Sequence, residues 1–158
     1  MVVESKVVEE DGVKRKRFPK DRAAGVGILL SPAAEQKVLT FGSVGERVCY
    51  VRLQGPVCNL FIVATYMPHR GRVCPSQDDA IADLHEALKL APPKDCMILL
   101  GDLNEQLGAN IKNRTGRWTG GEPSKNADKI IDLMRMYNLC VANTFFEPKR
   151  GETAHTYL

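Results

Sequence analysis

Apolar and polar positions alternate along the first half of the chain, and this alternation predicts short β-strands separated by turns. The four expected strands cover residues 25–30, 36–41, 46–53 and 57–67. In the third strand, Cys49, Val51 and Leu53 share one face, which makes that face apolar. The regular spacing of strands and turns predicts an antiparallel meander that builds one sheet.

Helical spacing of apolar residues predicts two amphipathic helices, over residues 77–90 and 128–138. Between them, residues 97–104 form an apolar run with a polar end, as expected of a strand covered on both faces. Short strands are also expected at residues 139–142 and 153–158. Helices and further strands that follow a meander predict a mixed α/β (α+β) fold class.

The chain is expected to contain an irregular basic segment at residues 1–23 and one domain at residues 24–158 that is truncated at both ends. The basic segment is typical of a nuclear-import signal, of a phosphate-binding patch, or of a solvated loop. The domain includes a polar, glycine-rich loop at residues 105–125. Ordered loops of this length usually carry function.

Composition limits the size, the environment and the partner of the protein. The 158 residues match the roughly 150 expected of one domain, and 44% hydrophobic with 26% charged residues is typical of a globular protein. The net charge of +3 permits a phosphate-rich partner without requiring one. The sequence contains no apolar run long enough to cross a bilayer, so no membrane partner is expected.

Five cysteines are scattered along the chain without any C-x-x-C pair. An odd number without framework spacing predicts reduced thiols that lie mostly in the core. The sequence therefore favours an intracellular protein, nuclear or cytoplasmic, and argues against a zinc site.

Asp102 and Asn104 follow the apolar part of the 97–104 strand, two positions apart. On an extended backbone their side chains leave the same face. A carboxylate beside an amide at the end of a buried strand is costly unless water, a metal ion or a phosphate meets them. Gly-Asp-x-Asn is also common turn chemistry, because Asp and Asn tolerate left-handed conformations. These residues alone leave both interpretations open.

The fourth predicted strand ends at Tyr66 and Met67, and two arginines, Arg70 and Arg72, follow it. Guanidinium groups pair well with phosphate oxygens, and the hydroxyl of Tyr66 is able to donate a hydrogen bond to the same group. The alternative is a half-buried strand tyrosine followed by two solvated arginines.

Several short sequence motifs occur in the order in which they are found in one family. They are Gly25-Val26-Gly27-Ile28-Leu29, Thr65-Tyr66-Met67-Pro68, Leu100-Gly101-Asp102-Leu103-Asn104, Asn138-Leu139 and Asn143-Thr144-x-Phe146. From residue 24 onward, the chain resembles the endonuclease/exonuclease/phosphatase superfamily, which includes DNase I, exonuclease III and abasic-site endonucleases. Within it, the chain is similar in particular to the reverse transcriptase-associated endonucleases of LINE-type retrotransposons and to craniofacial development protein 2-like proteins.

The resemblance implies a four-layer αββα sandwich with two packed mixed β-sheets, present here in part. It also implies a hydrolase that cleaves phosphodiester or phosphomonoester bonds with Mg²⁺ or Mn²⁺, and a retrotransposon-type endonuclease would act on DNA. By this resemblance, Asp102 orients or deprotonates the attacking water and binds the metal ion. Asn104 holds the scissile phosphate or the metal shell, and Tyr66 and Asn126 contact the phosphate.

The chain departs from the family pattern at two motifs. The early Gln-Glu-Thr-like strand end, whose glutamate binds the metal, has no good counterpart, and Glu4 is a poor candidate. The final Ser-Asp-His motif is not present, and neither His69 nor His155 replaces its histidine. Two hypotheses therefore stand: a fragment of a Mg²⁺-dependent endonuclease, or an inactive remnant with at most weak nucleic-acid binding. A phosphatase of the same superfamily is a further alternative.

Loss of outer strands from such a sandwich would expose sheet edges and apolar faces, which lowers stability. We therefore expect the isolated chain of 158 residues to be marginally stable or prone to aggregation. Thermal unfolding followed by circular dichroism measures this. A sharp, reversible transition above about 55 °C would contradict the expectation.

Overall fold

The computed structural model of the protein covers most of the chain. It describes residues 25–68, 77–119 and 121–148 in full, and the backbone of residues 8–10 and 13–15. The chain forms two compact units, residues 1–104 and residues 105–158.

The first unit contains a hairpin and a four-stranded sheet. The hairpin pairs Val8–Glu10 (β1) antiparallel with Val13–Arg15 (β2), so the segment predicted to be irregular is partly β-structure. The sheet consists, in spatial order, of Val38–Val44 (β3), Val48–Leu53 (β4), Leu60–Tyr66 (β5) and Cys96–Asp102 (β6).

The pairing of β3, β4 and β5 is antiparallel, which confirms the predicted meander. The strand β6 lies parallel to β5. A parallel neighbour requires a crossover connection, and the chain between β5 and β6 includes a helix. The mixed sheet with its helix confirms the α/β fold class, whereas the second packed sheet of a four-layer sandwich stays a prediction.

The segment 25–30 packs over one face of the sheet. The buried cluster on this face consists of Ile28, Cys49, Val51, Leu53 and Ala64. The predicted apolar face of β4 is thereby confirmed. The segment itself was expected to be a strand, but Leu29 makes its only β-bridge in the described ranges and is 82% exposed. This difference arises because Val26, Ile28 and Leu30 contact the sheet through side chains, and the backbone does not extend the sheet.

Two helices belong to the first unit. Pro32–Glu35 (α1) is a single turn after Ser31, whose hydroxyl accepts a hydrogen bond from the backbone N–H of Ala34 at 3.3 Å. Gln77–Lys89 (α2) confirms the first predicted amphipathic helix and packs against β3, β4 and β5. Its buried stripe consists of Ala80, Leu84, Ala87 and Leu88. Leu90, which was expected inside the helix, follows its end and is 50% exposed.

The strand β6 is less covered than its apolar sequence predicts. Within the described ranges it pairs with β5 alone and forms an edge of the sheet. Leu100 is 51% exposed, and Ile98 and Leu99 are half-buried, so burial on both faces is not found. An apolar run indicates which residues favour burial, but the elements that cover it are set by the rest of the fold.

The second unit contains Ala127–Met136 (α3), which confirms the second predicted amphipathic helix with slightly different ends. Its inward side chains are those expected from the spacing, namely Ile130, Ile131, Leu133 and Met134. None of the helices in the described ranges combines the length and the apolar character needed to cross a membrane.

The strand predicted at residues 139–142 is wrong. Ala142–Phe145 instead forms a 3₁₀ helix, and the residues before it are irregular. The backbone N–H of Val141 donates to the carbonyl of Arg114 at 2.8 Å, and Nη1 of Arg114 donates to the carbonyl of Leu139 at 3.0 Å. These bonds tie the segment to the polar 105–125 loop, so its backbone groups do not pair with a strand.

The four described cysteines are free thiols, but Cys49 is the only buried one among them. Cys58, Cys96 and Cys140 are exposed, so the prediction that most thiols lie in the core is wrong. Burial raises the pKa of the Cys49 thiol to about 11, which keeps that thiol protonated at neutral pH.

Gly101 allows the ends of β5 and β6 to approach each other. Its φ is +133°, a conformation that residues with a side chain rarely adopt. A β-carbon at this position would overlap the backbone carbonyl of Thr65, which is its partner in β5. The pairing of these strand ends therefore requires glycine.

We expect Gly101→Ala to lower the free energy of unfolding by at least about 2 kcal/mol, because backbone strain and the overlap with Thr65 both oppose the native pairing. The control is Gly42→Ala, whose added β-carbon would first meet the side chain of Tyr50, which is able to move. Urea unfolding of both variants measures the two losses. Equal losses would show that the ends of β5 and β6 do not need glycine.

Candidate active site

The candidate site lies at the edge of the sheet where β5 and β6 end. The parallel register places Tyr66, the last residue of β5, opposite Asp102, the last residue of β6. Beyond the strand ends, the backbone N–H of Met67 donates to the carbonyl oxygen of Asp102 at 2.9 Å. In α/β sheets, the carboxyl ends of parallel strands are the usual position of binding sites. Two of the predicted site residues are therefore neighbours.

Asn104 closes the turn that follows β6. Its φ is +51°, and its backbone N–H donates to Oδ1 of Asp102 at 2.9 Å. Its Nδ2 donates to the carbonyl oxygen of Met67 at 2.6 Å, which joins the end of β6 to the end of β5. The expectation that Asp102 and Asn104 leave one face of an extended strand is therefore wrong. The turn chemistry of Asp and Asn, which was the alternative, places both side chains at the same strand end.

Among the described residues, these bonds leave part of the side chains of Asp102 and Asn104 available to a ligand. Asp102 is exposed, and among the described residues its carboxylate accepts one hydrogen bond, from the N–H of Asn104. Asn104 is half-buried and uses one of the two hydrogens on Nδ2 for Met67. Tyr66 is also half-buried. An exposed carboxylate beside a phenol and an amide suits a site that orients a water molecule against a phosphate group.

The strand β4, which neighbours β5, brings Arg47 next to Tyr66. Arg47 precedes β4 by one residue, and its carbonyl oxygen accepts a hydrogen bond from the N–H of Tyr66 at 3.1 Å. Its Nη1 donates to the carbonyl oxygen of Tyr66 at 3.2 Å, and its guanidinium carbon lies 5.5 Å from the centroid of the Tyr66 ring. A cation, a phenol and a carboxylate therefore lie in register across three neighbouring strands.

Arg47 is unusual because it is buried with no carboxylate partner among the described residues. It is 7% exposed, its Nε has no hydrogen-bond partner, and it forms no ion pair with the described acidic residues. Arg52, in β4, shows the usual arrangement: its Nε lies 2.6 Å from one carboxylate oxygen of Asp95, and its Nη2 lies 3.1 Å from the other. The hydrogen bond from Arg52 lowers the pKa of Asp95. Arg47 has no such partner within the described ranges.

Arg47 was not among the site residues predicted from the sequence, although the sequence contained a signal for it. Alternate residues of a strand share one face, so Arg47 lies on the same face as Cys49, Val51 and Leu53, which form the apolar face of β4. An arginine that continues an apolar face is expected to lie partly inside the protein, where a charged group needs a partner.

The structure does not test the remaining predicted residues. Arg70 and Arg72 lie outside the described residues, as do Glu4, His69 and His155. Asn126 belongs to the second unit, where it occupies the N-terminal cap position of α3 and makes no side-chain cap bond. Its carbonyl accepts from the N–H groups of Lys129 and Ile130. Phosphate contact by Asn126 stays a prediction.

The donor set for a metal ion is small. No group of three or more His, Cys, Asp or Glu side chains gathers within the described ranges. Asp102 therefore offers one carboxylate, with Asn104 as a neighbouring amide. Mg²⁺ accepts few protein ligands and keeps several waters, so one carboxylate fits a weakly held, largely hydrated ion.

The fold and the site define a mixed α/β protein with a polar cluster at the carboxyl ends of two parallel strands. No family model and no solved structure matches the chain. The chain is similar to craniofacial development protein 2 of Tragulus javanicus, with 25% identity over 131 residues that cover 80% of this chain and 22% of that protein. The same protein of Bos taurus gives 25% identity over 131 residues, with the same coverage of 80% and 22%.

The chain thus spans about a fifth of the length of the curated relatives it matches. The expected likeness to craniofacial development protein 2-like proteins is confirmed, as a distant one. The wider resemblance to the endonuclease/exonuclease/phosphatase superfamily is supported through that relationship alone.

We expect Asn104→Asp to destabilise the protein by about 1–3 kcal/mol at neutral pH, because a carboxylate oxygen would replace the amide donor that faces the carbonyl of Met67. Aspartate tolerates the left-handed backbone, so the loss reports the side-chain bond. Part of the stability should return below pH about 4, where a protonated carboxyl is able to donate. Urea unfolding at both pH values measures this.

The control for this variant is Asn113→Asp, at an exposed asparagine with a similar φ of +59°. The control should change stability little at either pH. A loss in the Asn104 variant that is no larger than in the control would show that the bond to Met67 does not support the strand ends.

Proposed function

We propose that this chain carries the centre of the active site of a phosphodiester hydrolase of the endonuclease/exonuclease/phosphatase type, acting on DNA as retrotransposon endonucleases do. The observation that carries the proposal is the tie between the ends of β5 and β6. It places Asp102, Tyr66 and Asn104 at one sheet edge through register and through hydrogen bonds of 2.6–2.9 Å. The distant similarity to craniofacial development protein 2 supports the same family.

Hydrolysis of a phosphodiester needs a positioned water, a base and stabilisation of charge on the phosphoryl oxygens. In the proposal, the free oxygen of the Asp102 carboxylate orients the water and accepts its proton. The hydroxyl of Tyr66 donates to a phosphoryl oxygen, and the remaining N–H of the Asn104 amide donates to another. The hydrogen bond from Asn104 to Met67 gives this asparagine a structural role as well, because one of its two Nδ2 hydrogens joins the strand ends.

Mg²⁺ or Mn²⁺ is the cofactor in this proposal, with Asp102 as the residue that would hold it. The ion supplies positive charge and polarises the phosphoryl group. Because one carboxylate holds such an ion weakly, we expect millimolar concentrations of the metal to be needed for activity.

DNA is the proposed substrate class, and the charge of the chain is compatible with it. The net charge of +3 permits a polyanionic substrate without requiring one. Arg70 and Arg72 follow the Tyr66 strand in the sequence and lie outside the described residues, so phosphate contact by them stays a prediction. A phosphatase would use the same Asp102 and Asn104 on a phosphomonoester, so the substrate has to be tested directly.

We expect the purified chain to nick supercoiled plasmid in the presence of Mg²⁺ or Mn²⁺, and Asp102→Asn to lower the rate by about 10²- to 10⁴-fold, because an amide cannot accept the proton. Asn keeps an Oδ1 that accepts the N–H of Asn104, so the turn should remain. Gel electrophoresis of relaxed and supercoiled plasmid measures the rate. The control is Asp78→Asn, at an exposed residue in the first turn of α2.

Nicking by the wild type and by Asp78→Asn, but not by Asp102→Asn, supports the proposal. A folded chain that nicks no plasmid but releases phosphate from p-nitrophenyl phosphate, in a manner dependent on Asp102, is a phosphatase. A folded chain with neither activity is a non-catalytic domain. Either of the last two results would overturn the endonuclease proposal.

A further inference from the structure

We propose that Arg47 is a positioning residue of the candidate site, which fixes the ring of Tyr66 beside Asp102. The effect of Arg47 on catalysis rests on the proposed function. The contact between Arg47 and Tyr66 rests on the geometry of described residues, and it is testable without any activity.

Arg47 constrains Tyr66 at three points. The carbonyl oxygen of Arg47 accepts the N–H of Tyr66 at 3.1 Å, and Nη1 donates to the carbonyl of Tyr66 at 3.2 Å. These two bonds fix the backbone on both sides of the tyrosine α-carbon. The guanidinium lies 5.5 Å from the ring centroid, within the range of a cation–π contact, and so limits how the side chain rotates.

The burial of Arg47 indicates that its charge is used locally. A buried cation is costly unless charge or hydrogen bonds compensate it. Arg52 is compensated by the carboxylate of Asp95, but Arg47 has no carboxylate partner among the described residues. The positive charge of Arg47 is compensated by the carbonyl oxygen and the π-face of Tyr66. An apolar side chain would pack there without that cost, but it would not orient the tyrosine.

The position of Tyr66 matters because it is paired with Asp102 in the sheet. In the proposed reaction, the hydroxyl of Tyr66 and the carboxylate of Asp102 act on the same phosphate. A displacement of about 1 Å in such an arrangement costs roughly 10²-fold in rate. Arg47 would therefore influence turnover through Tyr66, without contact with the substrate.

The first test is spectroscopic and uses the full chain labelled with ring-¹³C tyrosine. The chain has four tyrosines, so Tyr66→Phe assigns the Tyr66 signal by its loss. We expect Arg47→Met to shift the Tyr66 ring signal and to leave the other three unchanged. The control is Arg135→Met, at an exposed arginine that pairs with Asp132 at 2.9 Å, and it should change none of the four.

An unchanged Tyr66 signal in folded Arg47→Met would overturn the proposal. If Arg47→Met does not fold, Arg47→Lys is measured in the same way, since lysine keeps the charge but loses the planar fork that reaches both carbonyl and ring. A Tyr66 signal identical to the wild type in Arg47→Lys would then overturn it.

The second test is a double-mutant cycle on plasmid nicking. We expect Arg47→Met to lower kcat by about 10²-fold with little change in KM. In a Tyr66→Phe background the same change should have little further effect, because the hydroxyl that Arg47 positions is already missing. Additive losses together with a raised KM would show that Arg47 binds the phosphate directly, which overturns the positioning role.

The two proposals fail in different ways. A wild-type chain that is folded but does not nick plasmid rejects the proposed function, and the tyrosine spectrum then decides the role of Arg47 alone. A chain that nicks plasmid with a Tyr66 signal insensitive to Arg47 rejects the positioning role and leaves the function standing.

Discussion

The parallel pairing of β5 with β6 is the interaction on which the candidate site depends. Its register sets Tyr66 opposite Asp102, and two hydrogen bonds through Met67 hold the strand ends together. The close approach is possible because Gly101 adopts a φ of +133° with no side chain against Thr65. A shift of one residue would move the carboxylate to the other face of the sheet. The chemistry of the site is therefore a consequence of strand register.

Much of this arrangement could be predicted from local sequence pattern. Alternation gave the apolar face of β4, and helical spacing gave the buried sides of α2 and α3. The predictions failed where distant contacts decide the structure. Residues 139–142 contain strand-forming side chains, but the loop residue Arg114 takes their backbone groups. The apolar run of β6 likewise did not reveal that it lies at an edge of the described sheet.

Three of the predicted site residues lie at one edge of the sheet, but their geometry differs from the one expected. Asp102, Asn104 and Tyr66 were each identified from sequence, and the structure brings them together. The extended backbone assumed for Asn104 was wrong, because a left-handed turn satisfies its polar groups better than an extended strand end would. The position of Arg47 along β4 marked it as inward-facing, but only the structure shows that it has no carboxylate partner among the described residues.

In the proposed reaction, charge would link the metal ion to the buried arginine. A single carboxylate would hold Mg²⁺ with most of its water shell, so the ion alone would neutralise little of the charge that develops on a phosphoryl group. A guanidinium that is 7% exposed is screened little by solvent, so its field reaches the neighbouring phenol more strongly than a surface arginine would. Arg47 lies in register with Tyr66, and Tyr66 lies in register with Asp102. A fixed positive charge therefore lies at the same sheet edge as the carboxylate, with Tyr66 between them: it contacts Arg47 and is paired with Asp102 in the sheet.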